Sequence, residues 1–187
     1  PVPEGEIAFT YHHRLADSRG ISPQIPSYDR IPENKFGFDI KLDLLVGCWI
    51  EGTWVRKSRD LGMLTNQEII NLGLDYTFGV GNGIYLVFEQ LLAAYDKKAF
   101  DLENSTSFSL LSASYPVGLF DTVSGIIYYD WKNNNSYNFI NWQKQFNKLS
   151  IYLMGYWNPE NYTLPAQGEG PNLFAGKGIQ IMLVVNH

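Results

Sequence analysis

The sequence predicts an all-β fold, an antiparallel up-and-down transmembrane β-barrel of about ten strands in this chain. Three observations carry that expectation: side chains alternate with a period of two, the strands are of membrane length, and the connections alternate between long and short. Alternation is clearest over 35–56. Phe36, Phe38, Ile40, Leu42, Leu44, Val46, Cys48 and Ile50 fall at even positions there, and Asp39, Lys41, Asp43 and Glu51 at odd ones. Farther on, Ile70, Leu72, Leu74, Tyr76 and Phe78 oppose Asn71, Gly73, Asp75 and Thr77. In the final segment Ile179, Ile181, Leu183 and Val185 share one face.

Taken in order, strands are expected at 5–13, 34–42, 45–56, 67–79, 83–95, 105–116, 122–131, 136–146, 148–158 and 177–187. Turn-forming residues separate several of them. GVGNG at 79–83 divides the fourth from the fifth, 116–121 the sixth from the seventh, the asparagines at 133–135 the seventh from the eighth, and Asn147 with Lys148 the eighth from the ninth. A membrane strand tilted near 45° needs about 9 to 11 residues, whereas strands of globular proteins cluster at about 5 to 6. Most of these segments reach the membrane length.

The long connections are 13–33, 57–66, 96–104, 132–135 and 159–176; the short ones lie near Asp43 and Leu44, at 79–83, at 116–121 and at Asn147 with Lys148. Barrels of the outer membrane show this asymmetry, with short periplasmic turns and longer external loops. The turn at Asp43 and Leu44 lacks the Gly or Asn that a two-residue hairpin prefers. Without it 35–56 becomes one strand and the long and short connections no longer alternate, so the turn is retained.

Composition excludes other classes. Of 187 residues 45% are hydrophobic, 15% aromatic and 18% charged, against roughly 25% charged in an ordinary soluble domain. One domain over 1–187 is expected, too hydrophobic for disorder. Fourteen Lys plus Arg against 19 Asp plus Glu give a formal charge of -5, with no basic block, so nucleic acid is not an expected partner. The single Cys48 forms no internal disulfide, no Cys/His cluster has zinc spacing, and no cofactor is implied. The most apolar run, 84–94, is broken by Glu89 and Gln90, so no transmembrane helix is expected. The chain begins with Pro1 and shows no signal-peptide pattern. That favours the C-terminal portion of a wider barrel over a complete ten-stranded one.

Aromatic residues gather at both ends of the strands. Tyr11, Phe36, Phe38, Trp54, Tyr95, Phe108, Tyr129, Trp131, Tyr137 and Trp157 lie toward the long loops, and Phe78, Tyr85, Tyr115, Phe120 and Phe146 toward the turns. Girdles of this kind mark membrane interfaces. The competing reading is a soluble β-sandwich with an aromatic core, and charge argues against it. Over 105–131 the ionisable carboxylates are Asp121 and Asp130 and there is no Lys or Arg, although soluble sheets guard their faces and edges with charge.

Counted back from the C-terminus, Val185, Leu183, Ile181 and Ile179 occupy the alternate hydrophobic positions of a terminal outer-membrane strand, with His187 where a terminal Phe is usual. With its strand and loop plan, the chain resembles a bacterial outer-membrane β-barrel protein of the porin type. The resemblance implies residence in the bacterial outer membrane, a lipid bilayer around the chain, and small polar solutes or ions as partners. A homo-oligomer is compatible with it.

Alternation places Glu6, Asp39, Lys41, Glu51, Asp75, Glu89 and Asp130 opposite the apolar face, as lumen-facing candidates. Charge is costly in hydrocarbon, and rings of carboxylates select cations. The plainer reading pairs Lys41 with Asp39 or a cross-strand acid and fills the interior with polar networks. About eight strands leave a filled lumen and about 16 to 18 an aqueous channel. The remaining motifs carry little. His12 and His13 point to opposite strand faces, and Ser107, Ser109, Ser112 and Ser114 sit in no nucleophile motif, so an enzyme is not expected. GVGNG lacks phosphate-loop spacing, and the N-x-S/T triplets at Asn104, Asn134 and Asn161 are assigned no role. The leading expectation is a channel for passive diffusion with modest cation preference. Its alternatives are a non-conducting anchor or adhesion barrel and a soluble lipocalin-like ligand-binding barrel. Inward folding of the loop 159–176 is expected to narrow the channel.

Overall fold

Period-two alternation becomes ten strands in the computed structural model, which describes residues 4–21, 23–160 and 174–185. They are β1 Gly5–Ala16, β2 Ile31–Asp43, β3 Gly47–Lys57, β4 Asn66–Phe78, β5 Ile84–Asp96, β6 Thr106–Pro116, β7 Asp121–Asp130, β8 Asn135–Gln145, β9 Leu149–Trp157 and β10 Lys177–Val185. They form one antiparallel sheet in sequence order, an up-and-down arrangement that is not closed, with β1 and β10 as its outer strands. Among the described residues no helix is long and apolar enough to cross a membrane. The terminal His187 and most of the 159–176 loop lie outside the described residues.

Two boundaries differ from expectation. β1 and β2 each run about three residues farther toward the first long loop, because pairing continues through Arg14↔Glu33, Leu15↔Pro32 and Ala16↔Ile31. The reason is a small apolar cluster of Ala16, Ile31 and Leu61, joined by Ile25 and Leu64, which holds the strand ends together. The β2–β3 connection is not the two-residue turn expected at Asp43 and Leu44. Asp43 still pairs with Gly47, and the linker is the three residues Leu44, Leu45 and Val46. None of the three has positive φ, so the linker does without the Gly or Asn of a two-residue loop.

The described chain divides into two compact units, Pro1–Leu74 with Glu89–Phe108, and Asp75–Phe88 with Ser109–His187. In the first, register places Phe9, Phe38 and Gly52 in one row and Tyr11, Phe36 and Trp54 in the next. On the opposite face, Glu6 sits opposite Lys41 and Asp39 opposite Glu51. In the second unit Ile140, Gly155 and Ile179 share a row with Gly125, as do Trp142, Leu153 and Ile181 with Val123. Their reverse face carries Ser124, Asn141, Met154 and Gln180. Each unit therefore has one apolar and one polar face.

On β4 to β9 the apolar face carries the exposed residues, whereas on β2 and β3 the polar-face Asp39, Lys41 and Glu51 are exposed and the apolar-face Phe38 and Ile40 are half-buried. Leu72, Leu74, Phe88, Leu111, Ile127, Ile140 and Leu153 are all exposed, whereas Gly73 and Ser150 on the polar face are buried and Asn71, Asp75, Glu89, Ser124 and Asn141 half-buried. A water-soluble sheet buries its apolar side.

Glycine lets rings lie flat across neighbouring strands. Phe38 covers its register partner Gly52, Tyr156 covers Gly178, and Trp49 covers Gly73 so closely that an added Cβ would overlap the indole. Such ring-over-glycine pairs pin register in curved sheets. Replacing Gly73 with Val should displace Trp49 and destabilise the fold by about 1–3 kcal/mol. Urea unfolding followed by tryptophan emission would reveal this as a lower midpoint; an unchanged midpoint would show that the indole does not pin β3 on β4.

Candidate functional site

The polar face of β1–β3 gathers most of the sequence-derived candidates. Register sets Glu6 opposite Lys41, Ala8 opposite Asp39, and Asp39 opposite Glu51. Side chains directly opposite on neighbouring strands have Cβ atoms about 4.5–5.5 Å apart, and like charges there are destabilising. Among the described residues Asp39, Glu51 and Glu6 form no ion pair within 4 Å. Lys41 does not pair with Asp39 or across the strand as the plainer expectation had it. Its partner is Asp43 on the same strand at 3.5 Å, because residues two apart on a strand project to the same side. The carboxylates of Asp39 and Glu51 are thus left facing each other, with the small Ala8 and Gly37 beside them.

The other candidates are more scattered. Glu89 accepts a long 3.5 Å hydrogen bond from Asn71, which puts both on the polar face with Gly73. In the second unit Asp75 is half-buried and Asp130 is 1% exposed. The Asp130 carboxylate accepts from the backbone N–H groups of Lys132 and Asn133 and from the Asn133 side chain, capping the tight turn after β7. It is a turn former, not a free lumen charge.

A stronger constellation stands at the loop end of β1–β3. Glu33, 2% exposed, receives Arg14 Nε at 2.5 Å, Lys35 Nζ at 3.5 Å and Lys57 Nζ at 3.5 Å. Lys57 Nζ also donates to the carbonyl of Leu64 at 3.0 Å. Sequence reasoning missed this site by assigning residues 13–33 to a loop. A signal was present, since Glu33 and Lys35 continue the odd-numbered parity of Asp39 and Lys41. Beyond the strands, Asp60 and Lys97 form an exposed pair at 2.5 Å. Hydrogen bonding from Lys97, then from the Gly62 N–H, holds the Asp60 carboxyl below its usual range, and the Lys97 ammonium is raised in return.

The polar face of the second unit is filled by rings. Tyr128 and Tyr156 both pack against Phe139, and Phe174, at the end of the last long connection, sits 5.8 Å from Phe139 and 5.4 Å from Tyr156. Asn158 donates to Gly176 and Phe174 carbonyls and closes the base of that connection. Phe108 and Tyr137, expected in the loop-end girdle, are buried, and Tyr137 stands opposite Tyr128 on this polar face.

Other residues singled out by sequence have local partners. His12 pairs in register with Lys35 and His13 with Asn34, and the His13 ring meets the Asn34 side-chain oxygen at 2.9 Å. Ser107 accepts from Gln90, and Ser109 from the Trp131 indole. Among the described residues no group of three or more His, Cys, Asp or Glu could hold a metal. The GVGNG segment is a turn, with Gly81 and Gly83 at positive φ.

Replacing Glu33 with Gln would leave three cations around a neutral amide. Removal of one partner from a buried pair typically destabilises by about 3–5 kcal/mol, and with two of the cations partly solvated a loss of about 3 kcal/mol is expected in urea unfolding. A loss below about 1 kcal/mol, the range of surface pairs, would show that the cluster does not tie the strand ends. Compared with protein-family models, with curated proteins and with solved structures, the chain matches none.

Proposed function

We propose that the chain is an outer-membrane-type β-barrel protein whose polar face lines a narrow passage for passive diffusion of small polar solutes or ions, with a modest preference for cations. The observation that carries this reading is the inversion on β4 to β9, whose exposed side is the greasy one. Leaving a Leu, Ile or Phe side chain wholly in water forgoes roughly 1.5–3 kcal/mol, so the seven residues Leu72, Leu74, Phe88, Leu111, Ile127, Ile140 and Leu153, each about half exposed, represent on the order of 5–10 kcal/mol. That is comparable with the whole stability of an ordinary domain, about 5–15 kcal/mol. Hydrocarbon around the sheet removes the penalty. The same inversion disfavours a lipocalin-like barrel, which needs its apolar face within.

Charge distribution supports the passage. In the first unit Glu6, Asp39, Glu51 and Glu89 lie on the polar side with Lys41, and Asp75 alternates with Leu74 and Tyr76 on its own strand. A unit charge 4 Å from an ion in water is worth about 1 kcal/mol, a roughly fivefold local enrichment. Carboxylates along a wall therefore favour cations.

One observation favours a non-conducting anchor instead. Tyr128, Phe139, Tyr156 and Phe174 fill the polar face of the second unit. Few strands leave little room beyond such rings.

Planar-bilayer recording of the refolded chain under a KCl gradient separates the readings. Expected is a small conductance with a reversal potential on the cation side. The D39N/E51Q double variant should then lower the cation-to-anion permeability ratio, by up to about fivefold. Anion selectivity in the unaltered chain would refute the passage. Silence, together with liposomes that do not swell in small sugars, would establish the anchor.

A further inference from the structure

At the loop end of the first unit the apolar face changes character within a short distance. Tyr11, Phe36 and Trp54 form one cross-strand row, with ring centroids 5.2 and 5.4 Å apart. Toward the strand centre the row below is Phe38 lying over Gly52, followed by Ile40 opposite Ile50. On the loop side come polar groups. A cavity of about 360 Å³ opens there, lined by Asn34, Phe36, Trp54, Arg56 and Ser58.

Hydrogen bonding within the cavity leaves its donors available. The Asn34 side-chain oxygen is taken by Tyr11 Oη at 2.8 Å and by the His13 ring at 2.9 Å, which turns the Asn34 amide N–H groups elsewhere. Trp54 commits its indole N–H to Asn66 at 3.3 Å and keeps its ring face for packing. Arg56 is exposed and has no ion pair among the described residues. No carboxylate lines the cavity. A guanidinium, an amide and a hydroxyl thus stand above aromatic rings, which stand above aliphatic side chains.

We propose that this cavity seats the phosphate-bearing headgroup of a membrane amphiphile whose acyl chains run down the apolar face over Phe38 and Ile40. Arg56 supplies a planar, permanently charged fork suited to phosphate, and Asn34 and Ser58 supply neutral donors. Phe36 and Trp54 sit at the depth where amphipathic rings meet the ester region of a bilayer. The inference rests on the membrane reading of the apolar face. A free phosphate offers the same oxygens without the chains, and the amphiphile is favoured because the anion site continues directly into an apolar track in which Phe36 and Ile50 are exposed and Phe38 and Ile40 half-buried.

The test uses the whole chain refolded in neutral-detergent micelles and titrated with dioctanoyl phosphatidic acid under native mass spectrometry. Dioctanoylglycerol and inorganic phosphate serve as separate probes. Expected is a saturable phosphatidic acid adduct, weakened about tenfold by R56Q and less by S58A, with no comparable adduct for either control probe. The K177Q variant, which removes an exposed cation on another strand, should bind as the parent chain does. Inorganic phosphate binding as tightly as the lipid would overturn the amphiphile. Equal affinity in R56Q, or equal loss in K177Q, would overturn the site. Flotation with phospholipid vesicles tells the two failures apart: a chain that floats while R56Q keeps its adduct refutes the cavity alone, and a chain that does not float refutes the membrane reading and this inference together.

Discussion

Pleating couples every second side chain on a strand to one environment, and the rest of this structure depends on that coupling. A slip of β3 by one residue against β2 would bring Glu51 onto the side now held by Phe38 and Ile40, and Ile50 onto the side of Asp39 and Lys41. Register is accordingly pinned at several places by features that tolerate no slip. Phe38 on Gly52, Trp49 on Gly73 and Tyr156 on Gly178 each need a residue without a side chain opposite the ring. The separation of the two faces follows, and with it the exposed apolar side of β4 to β9.

Strand ends are secured by different chemistry from strand centres. At the long-loop end of β1–β3 a nearly buried carboxylate gathers cations from three strands, and Lys57 extends the tie to the connection that follows β3. Nearby, Ser18 accepts from the Tyr28 N–H and donates to the Pro26 carbonyl, folding the first long connection back on itself. The ties from Arg14 and Lys57 to Glu33 join different strands, and those of Ser18 and of Lys57 to Leu64 hold each connection to its own strand end. At the turn end the linkers are too short to need such support. Leu44, Leu45, Val117 and Leu119 stand exposed at their tips, as an interface would permit more readily than bulk water.

Alternation made the strands legible in the sequence, because ten membrane-length segments with turn residues between them leave few other arrangements. All ten strands occur in the order and direction expected. What alternation could not reveal was where pairing stops. Residues 14–16 and 31–33 contain Arg, Pro and Glu and read as loop, yet they pair because Ile31 and Leu61 bury each other and Glu33 finds three cations. Those partners come from positions 14, 35, 57 and 61, a convergence that only the folded chain displays. Asp130 was assigned to the polar face by parity, and parity was uninformative about the turn amides that occupy its carboxylate. Asp39 and Glu51 were each legible as polar-face acids. That they stand directly opposite required the register, which depends on a linker of three residues where two were expected.

Closure is the remaining physical requirement of the membrane reading. An unpaired backbone N–H or C=O in hydrocarbon forgoes several kcal/mol, so a sheet that enters a bilayer keeps no free edge there. β1 and β10 are the outer strands of this sheet, with Ile7, Phe9 and Tyr11 on the apolar face of one and Ile179, Ile181 and Leu183 on that of the other, where Met182 and Val184 take the opposite face. With ten alternating strands the two edges run in opposite directions. Antiparallel pairing in a closed sheet would then need no strand or an even number of strands between them. An odd number would force a parallel pair. A barrel closed by ten strands would be narrow, and further strands would widen it. Strand number and conductance are thus a single question for this chain.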